Sequence, residues 1–518
     1  MRYLLPLLFL LSSLVVFLPG CEPKEDLLQT SGSLELKADT VLFDTVFTTV
    51  RTVTKRLWVY NRNSGAVKTD VSLSGAAGNT YTLLINGDLG PAVSGLTIRG
   101  KDSLLVLVRA LVGDNGSSAN PKDFLVEDQL HFRTNGNDQV VRLIAYGQNA
   151  YFHRGDIITS NTTWATDKPH VIINRNVTLG ANRFNIGVAV AQNTTLNIPK
   201  GARIYCHAGA TLQVDGTLKV NDTFSPSGVV PDSSRDIVRF QGDRREAFYN
   251  DVPGQWGGII FTSGSHNNDI RYTEIKNATF GLLLYNPDAR GQAPDLLLKN
   301  STIRNISGSN ISFANATATA GGGIISYSGT VRATNCLFTN CGEYAVLGAG
   351  GGVFNFNYCT FANYTPAFQR KTASLTFLKQ QLSDPGILHP IRVTINNSIV
   401  WGSIKDELFV EGGLSPASGN SVSITNSLLR TDEYQAAPEI RATTPTDLRN
   451  LVNADPRFKR TPLNAPNRYD YSLDAGSPAL NRPPVTAAFG ERIDLRNQPR
   501  PGPTNAAPDL GAYERQEP

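Results

Sequence analysis

One eight-residue phrase recurs through the second half of this chain, and any fold assigned to it must return to the same local geometry each time. Aligned on one column, the lines are IRYTEIKN (270–277), LKNSTIRN (298–305), ATNCLFTN (333–340), FNYCTFAN (356–363), INNSIVWG (395–402) and ITNSLLRT (424–431). The anchor column reads Tyr272, Asn300, Asn335, Tyr358, Asn397, Asn426, and the next is always small: Thr273, Ser301, Cys336, Cys359, Ser398, Ser427. Three positions after the anchor stand Ile275, Ile303, Phe338, Phe361, Val400 and Leu429. Two positions before it stand Ile270, Leu298, Ala333, Phe356, Ile395 and Ile424.

Side chains along a strand alternate faces, yet the inward parity before the anchor differs from the parity after it. The chain must therefore bend at the anchor, and Asn tolerates the left-handed conformation of such a bend better than most residues. A second corner follows five residues on, at Asn277, Asn305, Asn340, Asn363, Gly402 and Thr431. The anchors are separated by 28, 35, 23, 39 and 29 residues, too irregular for a propeller but suited to a solenoid with insertions on chosen loops. The stretch TTLNIPKGARIYCHAGATLQVDGTLKV (194–220) gives the minimal turn almost bare, with Leu196 to Leu218 one lap of 22 residues. Strand, corner, strand, corner at this spacing predicts a parallel β-helix, right-handed as parallel crossovers are. Adjacent coils would stand ~4.8 Å apart, close enough for an asparagine ladder. Hairpin sheets or a sandwich also use Asn and Gly as punctuation, but they do not predict six matched lines with a shared change of parity.

On these residues, and on GQWGGIIFTSGSHNNDIRYTEIKNATFG (254–281), the region of about 170–430 resembles the right-handed parallel β-helix of the pectate-lyase type. NADPRF (453–458), DAGSPALNR (474–482), DLRNQPRPG (494–502) and PDLGAYE (508–514) resemble the end of bacterial surface β-helix proteins classed as choice-of-anchor Q. That resemblance implies a closing element on the last coil rather than an active site, and the expected limits are 151–430 for the β-helix and 431–518 for its closing region.

The chain opens MRYLLPLLFLLSSLVVFLPGCEPKED: one early Arg2, an apolar run from Leu4 to Leu18, then Leu-Pro-Gly-Cys. The run is too short and wrongly flanked for a membrane span and reads as a secretory signal over residues 1–20. The cysteine after a small residue resembles a lipoprotein box, with Pro19 departing from the usual residue, so Cys21 is the expected site of lipid attachment, heading a tether over 21–33. Lys24, Glu25 and Asp26 resemble the charged tether of lipoproteins sent to the outer face of some Gram-negative outer membranes. Lipid at this site would make the membrane a partner, held durably because more than one acyl chain is involved.

Residues 34–150 have a different texture. Alternating runs such as TKRLWVYNRNSGAVKTDVSLSG and DQLHFRTNGNDQVVRLIAYGQNA, parted by turn residues every 8 to 15 positions, predict an antiparallel, immunoglobulin-like β-sandwich of about seven strands. Its expected role is spacer or docking module, with Trp58 and Tyr60 buried in the sandwich rather than forming a ligand platform. The net charge of +4 comes from scattered bases, which excludes a nucleic-acid footprint. Only 18% of residues are charged, and 46 Gly and 29 Pro suit turn-rich exported β structure.

The chemistry is sparse. Five cysteines lack paired CxxC spacing and six histidines never fall at HxxxH spacing, so zinc has little support. Cys336 and Cys359 share a column in successive coils, where either a disulfide or two stacked thiols would fit. Polygalacturonase-like motifs (Asn-Thr-Asp, Asp-Asp, Gly-His-Gly, Arg-Ile-Lys) are absent. A lyase would need calcium-binding carboxylates and a Lys or Arg base; calcium is the expected cofactor only on that reading. The groove candidates are Asp243, Arg244, Arg245 and Glu246 on one long insertion, and His266, Asp269 and Glu274 on the next coil.

Three insertions, 221–253, 307–323 and 364–390, break the rhythm; the first is charged, the second polar and small, the third basic through Arg370, Lys371 and Lys379. Two of them on one side would wall a groove, for which an extended polysaccharide is the natural ligand. Two readings stand: a non-catalytic surface lipoprotein that binds glycan or another surface ligand, and a polysaccharide lyase or hydrolase with a diverged site. The second rests on analogy of fold alone.

Overall fold

The computed structural model describes residues 27–114, 124–179, 182–308, 310–311, 319–366, 369–441, 450–464, 469–482 and 490–516. Cys21 and the signal segment lie outside them, as does part of the 307–323 insertion. The chain divides into two compact units, residues 1–149 and 150–518.

The first unit is a β-sandwich of two five-stranded sheets. Leu57, Val59, Val106 and Val108 from one sheet meet Leu130, Phe132, Val141 and Leu143 from the other in a single core. Two expectations need correction. The pairing is not wholly antiparallel: Thr40–Phe47 lies parallel to Asn137–Gln148, because the chain changes sheets after Glu35–Leu36 and the rest of the unit serves as the long connection a parallel pair requires. Nor is Trp58 buried. Leu57 and Val59 take the inward parity of their strand, which leaves Trp58 39% exposed.

The second unit is a right-handed parallel β-helix. Three sheets of eleven, nine and nine strands run its length, here called sheets 1, 2 and 3. The minimal lap is as expected: Thr195–Ile198 of sheet 3 is followed by Arg203–Cys206 of sheet 1, Thr211–Val214 of sheet 2 and Thr217–Val220 of sheet 3, and Leu196 pairs with Leu218. All six anchors have positive φ, from 40° at Tyr272 to 54° at Asn335, and each turns the chain from sheet 3 to sheet 1. The apolar residues two before and three after every anchor fall in one continuous core, which is what the change of parity demands. The small residue after the anchor is buried in each coil and donates its hydroxyl or thiol to the carbonyl two residues back, as Ser398 does to Asn396 and Cys336 to Thr334. Cysteine substitutes there because its thiol makes the same contact, and Cys336 and Cys359 are both free thiols.

The second corner follows its pattern only in part. Asn277, Asn305 and Asn340 have positive φ, whereas Asn363, Gly402 and Thr431 do not. At Gly402 the requirement is space: a Cβ there would stand 2.2 Å from a Glu407 carboxylate oxygen and 2.7 Å from the Asn363 carbonyl. Ladders form at both corners, from Asn426 to Asn397 at 2.8 Å and from Asn340 to Asn305 at 2.8 Å.

Two of the supposed insertions each contain a whole strand of the β-helix sheets, and 307–323 holds the short antiparallel pair Asn310–Ile311 and Thr319–Ala320. Val238–Gly242 belongs to sheet 1 and Leu375–Phe377 to sheet 2, so 221–253 and 364–390 are each two loops around a short strand. VRFQG alternates as a strand should, but the run is short, lies between loops, and follows Ile237 where the other coils have Asn or Tyr. The third insertion is also less basic in effect than its composition implies. Arg370 is buried and bonds to both oxygens of Glu407 at 2.7 and 2.6 Å, with neither side chain exposed.

The closing region does more than end the last coil. Leu451–Val452 adds the eleventh strand of sheet 1. The chain from about 458 onward then runs back along the outside of that sheet, packing Phe458, Tyr471, Leu473, Leu495, Leu510 and Tyr513 over Leu337, Ala362, Ile399 and Leu428. It also meets the anchor column: Asn300 and Asn335 donate to the carbonyls of Asp494 and Ile493, Tyr272 bonds to Asn497, and Arg500 lies over Tyr358. The motif residues hold this clasp shut. Asp494 accepts from the amides of Arg496, Gln498 and Glu514, and Glu514 accepts from Gly502 and Asp509. Gly511, at φ 84°, lies where a Cβ would meet the Thr360 hydroxyl at 2.5 Å. The expectation of a closing element on the last coil is thus corrected to a clasp spanning several coils.

At the opposite end the interior column terminates in rings. Tyr151, His153 and His170 take the inward parity, since His170 pairs with Ile204 of the core. Trp164 stacks against both imidazoles, 4.5 Å from His153 and 4.3 Å from His170, and His153 Nε2 meets His170 Nδ1 at 2.9 Å.

Candidate functional site

The outward face of sheet 1 carries two columns of side chains. One reads Arg203, Arg239, Glu274, Thr302, Leu337, Thr360, Ile399, Leu428 in consecutive pairings. The other includes Lys276, Arg304, Thr339, Ala362 and Trp401. These charged residues precede the coil of Leu337, and the apolar ones begin with it. Beyond it the clasp covers the sheet; before it the sheet floors an open groove of about 720 Å³. The loop before Val238–Gly242 borders it at the anchor edge through Val230 and Asp232, where Asp232 meets Arg496 of the clasp; the loop after that strand borders the second-corner edge through Asp251 and Pro253; and Tyr469, Tyr471 and Tyr513 of the clasp line it as well.

Glu274 stands at the centre of the floor. Arg239 donates to one of its oxygens at 2.8 Å and Arg304 to the other at 2.6 Å. Burial raises its pKa, but Arg304, Lys276 and Arg239 together outweigh that and hold it at about 2. Lys276, beside it, is pushed below the usual lysine range by burial and by the Arg304 charge, while Glu274 opposes. Asp251 pairs with Arg304, Asp232 with Arg496 at 2.6 Å and Asp470 with Arg460 at 3.6 Å. Four carboxylates (Asp232, Asp251, Glu274, Asp470) therefore face four bases (Arg239, Lys276, Arg304, Arg496) in the groove, a net charge of zero.

Of the seven groove candidates read from sequence, Glu274 alone lines this groove. Asp243 bonds to His207 at 2.6 Å at the end of its sheet 1 strand, and this bond raises the imidazole pKa. Arg244 pairs with Glu246 at 3.3 Å and lies 3.8 Å over the Tyr249 ring; Arg245 lies 5.3 Å from the Tyr205 ring. Asp269 chelates Arg271 on sheet 3, and His266 faces Asp295 at 3.7 Å. The seven thus fall at three places, because loops at one sequence position leave the coil toward different sheets. Arg239, Lys276 and Arg304 were missed, although positions two and four after each anchor would have revealed Lys276 and Arg304; Arg239 follows Ile237 and no anchor phrase. For calcium the donor set does not fit: each groove carboxylate is matched to a guanidinium, and among the described residues no three His, Cys, Asp or Glu converge as ligands would.

No family model matches the chain, and no curated protein matches it. Among solved structures it is similar to the catalytic unit of a thermostable GH87 alpha-1,3-glucanase from Streptomyces thermodiastaticus, at 13% identity over 72% of this chain and 79% of that one, TM-score 0.20. A PapD-like domain of human CEP192 matches at 12% identity over 24% of this chain and 89% of that one, TM-score 0.18. A family 123 glycoside hydrolase from Clostridium perfringens matches at 7% identity over 24% of this chain and 30% of that one, TM-score 0.16. The β-helix itself is read from the sheet registers.

Proposed function

We propose that this chain is a cell-envelope protein, lipidated at Cys21 on the outer membrane, whose sheet 1 groove holds a stretch of neutral polysaccharide without cleaving it. The observation that carries the reading is the groove's charge balance. Recognition by a floor of matched ion pairs and tyrosines works through hydrogen bonds to hydroxyl groups, not through net attraction to a polyanion. The pairing of every groove carboxylate with a guanidinium supports the absence of cleavage. Hydrolysis of a glycosidic bond needs one carboxylic acid that keeps its proton near neutral pH, and Glu274, at about 2, is the opposite case.

Lys276 favours a second reading. A buried lysine with a lowered pKa is the kind of group that removes a proton beside a carboxyl group in β-elimination, which would make the protein a lyase of uronate polymers.

Electrophoresis of residues 22–518 through gels containing neutral glucans, xylan or polygalacturonate separates these readings. The first expects retardation by a neutral polymer, little changed between 50 and about 300 mM salt, with no new reducing ends. Ultraviolet absorbance rising with polygalacturonate and lost in Lys276→Met would establish the lyase instead. Labelling of cells with a palmitate analogue, lost in Cys21→Ala, checks the anchor.

A further inference from the structure

Phe248 is 78% exposed, yet it sits on one of the most tightly moored segments of the groove wall. It belongs to the short 3-10 helix Ala247–Asp251. The second-corner asparagines carry that helix: Asn277 donates to the carbonyls of Tyr249 and Asn250, and Asn305 to the Asp251 carboxylate. Gln255 adds bonds to the Tyr249 and Val252 carbonyls. The ring is also fixed from the side. Glu246 holds Arg244, Arg244 lies over Tyr249, and Tyr249 meets Phe248 edge to face at 5.0 Å.

An apolar ring this exposed on a rigid mount has been desolvated by nothing within the described chain. Its position names the occupant. Asp251, three residues along the same helix, lines the groove and pairs with Arg304, and three residues of 3-10 helix span ~6 Å. We infer that Phe248 is an outer subsite of the groove, an aromatic platform on which one pyranose ring of the bound polysaccharide stacks after the chain leaves the floor. The sugar's C–H face is the apolar partner, and the pre-set ring orientation lowers the ordering cost of the contact. The inference rests on the glycan-binding reading and extends it: the site takes a chain longer than the walled floor. Arg244 and Glu246 then act as positioning residues for the platform, not as groove-floor groups.

The test is calorimetric titration of residues 22–518 with malto-, laminari- and xylo-oligosaccharides of three and seven units, for the unaltered protein, Phe248→Ala and Phe248→Trp. The expected result is that heptamers of the recognised type bind more tightly than trimers. Phe248→Ala removes that gain, weakening heptamer binding about five- to tenfold, while trimer binding stays within twofold. Phe248→Trp retains the gain, and matched thermal unfolding of all three excludes a folding defect. Equal heptamer affinity in Phe248→Ala and the unaltered protein would overturn the subsite and leave the groove reading intact. No binding of any length by the unaltered protein would overturn the groove reading itself, and the subsite with it.

Discussion

Arg500 lays its guanidinium 4.1 Å over the ring of Tyr358, an anchor residue of the repeat, while its carboxylate partner Glu514 is buried with it. A second contact to the next anchor, Asn335, and a third to the Gly511 carbonyl leave that cation joined to the coil and to the clasp at once. The terminal motifs are therefore the means by which the wall of the groove is fastened to its floor.

Removing one member of this fastening leaves the other charge buried without its counter-ion. Arg500→Ala is expected to cost ~3–5 kcal/mol in urea denaturation. It should also release a C-terminal fragment in limited proteolysis under conditions where the unaltered clasp resists. Arg500→Lys should restore little, since a lysine cannot make the planar stack and forked contacts together.

The buried pair of Arg370 and Glu407 gives a second case with an internal control. Glu407→Gln is expected to destabilise by about 3 kcal/mol, whereas the double change Arg370→Met with Glu407→Leu should cost markedly less. Gly402→Ala should be destabilising on its own, by ~1–3 kcal/mol, because the added methyl must displace the Glu407 carboxylate or the Asn363 carbonyl. Equilibrium denaturation of the four proteins checks the order.

Glu274 predicts an acid limb in the stability curve. Its folded pKa of about 2 lies below the ordinary 4.5, so folding favours the ionised form. The stability this gives is complete above pH 4.5 and is lost as pH falls toward 2. Glu274→Gln should flatten that interval, and it should also weaken glycan retention at pH 7, because Arg239 and Arg304 lose the group that orients them.

The ring stack at the first coil acts in a higher window. Burial pushes His170 down to about 4, against its bond to the Ala165 carbonyl, and lowers His153 although Asp156 opposes the shift. Both imidazoles therefore resist protonation in the folded state, and their contribution, complete above pH 6.5, is lost between there and about 4. Thermal unfolding across that range should show a falling midpoint, and His170→Gln should reduce the slope.

The interior of this β-helix was legible because it repeats. Anchors, small residues and the paired apolar columns all answer to one geometric condition, met six times. What was not legible lies where that condition lapses. Val238–Gly242 is hard to read as strand because it is short, isolated between loops, and preceded by Ile237 instead of an anchor Asn or Tyr. Arg370 reads as a surface base because its partner Glu407 is far along the chain. The groove wall joins Asp232 to Arg496, side chains separated by 264 positions, and no local pattern announces such a pairing. The outward columns, by contrast, were present in the aligned phrases at positions two and four after the anchor, and Glu274, Lys276 and Arg304 stand there.

The change of character at Leu337 divides sheet 1 into a half whose outer face the clasp covers and a half whose outer face is open. Because the clasp grips only the later coils and the last few before them, added laps of the minimal kind near Arg203 would lengthen the trough without disturbing its fastening. Each would contribute one strand spacing, ~4.8 Å. The length of the groove is then a whole-number quantity, set by how many laps precede the clasp.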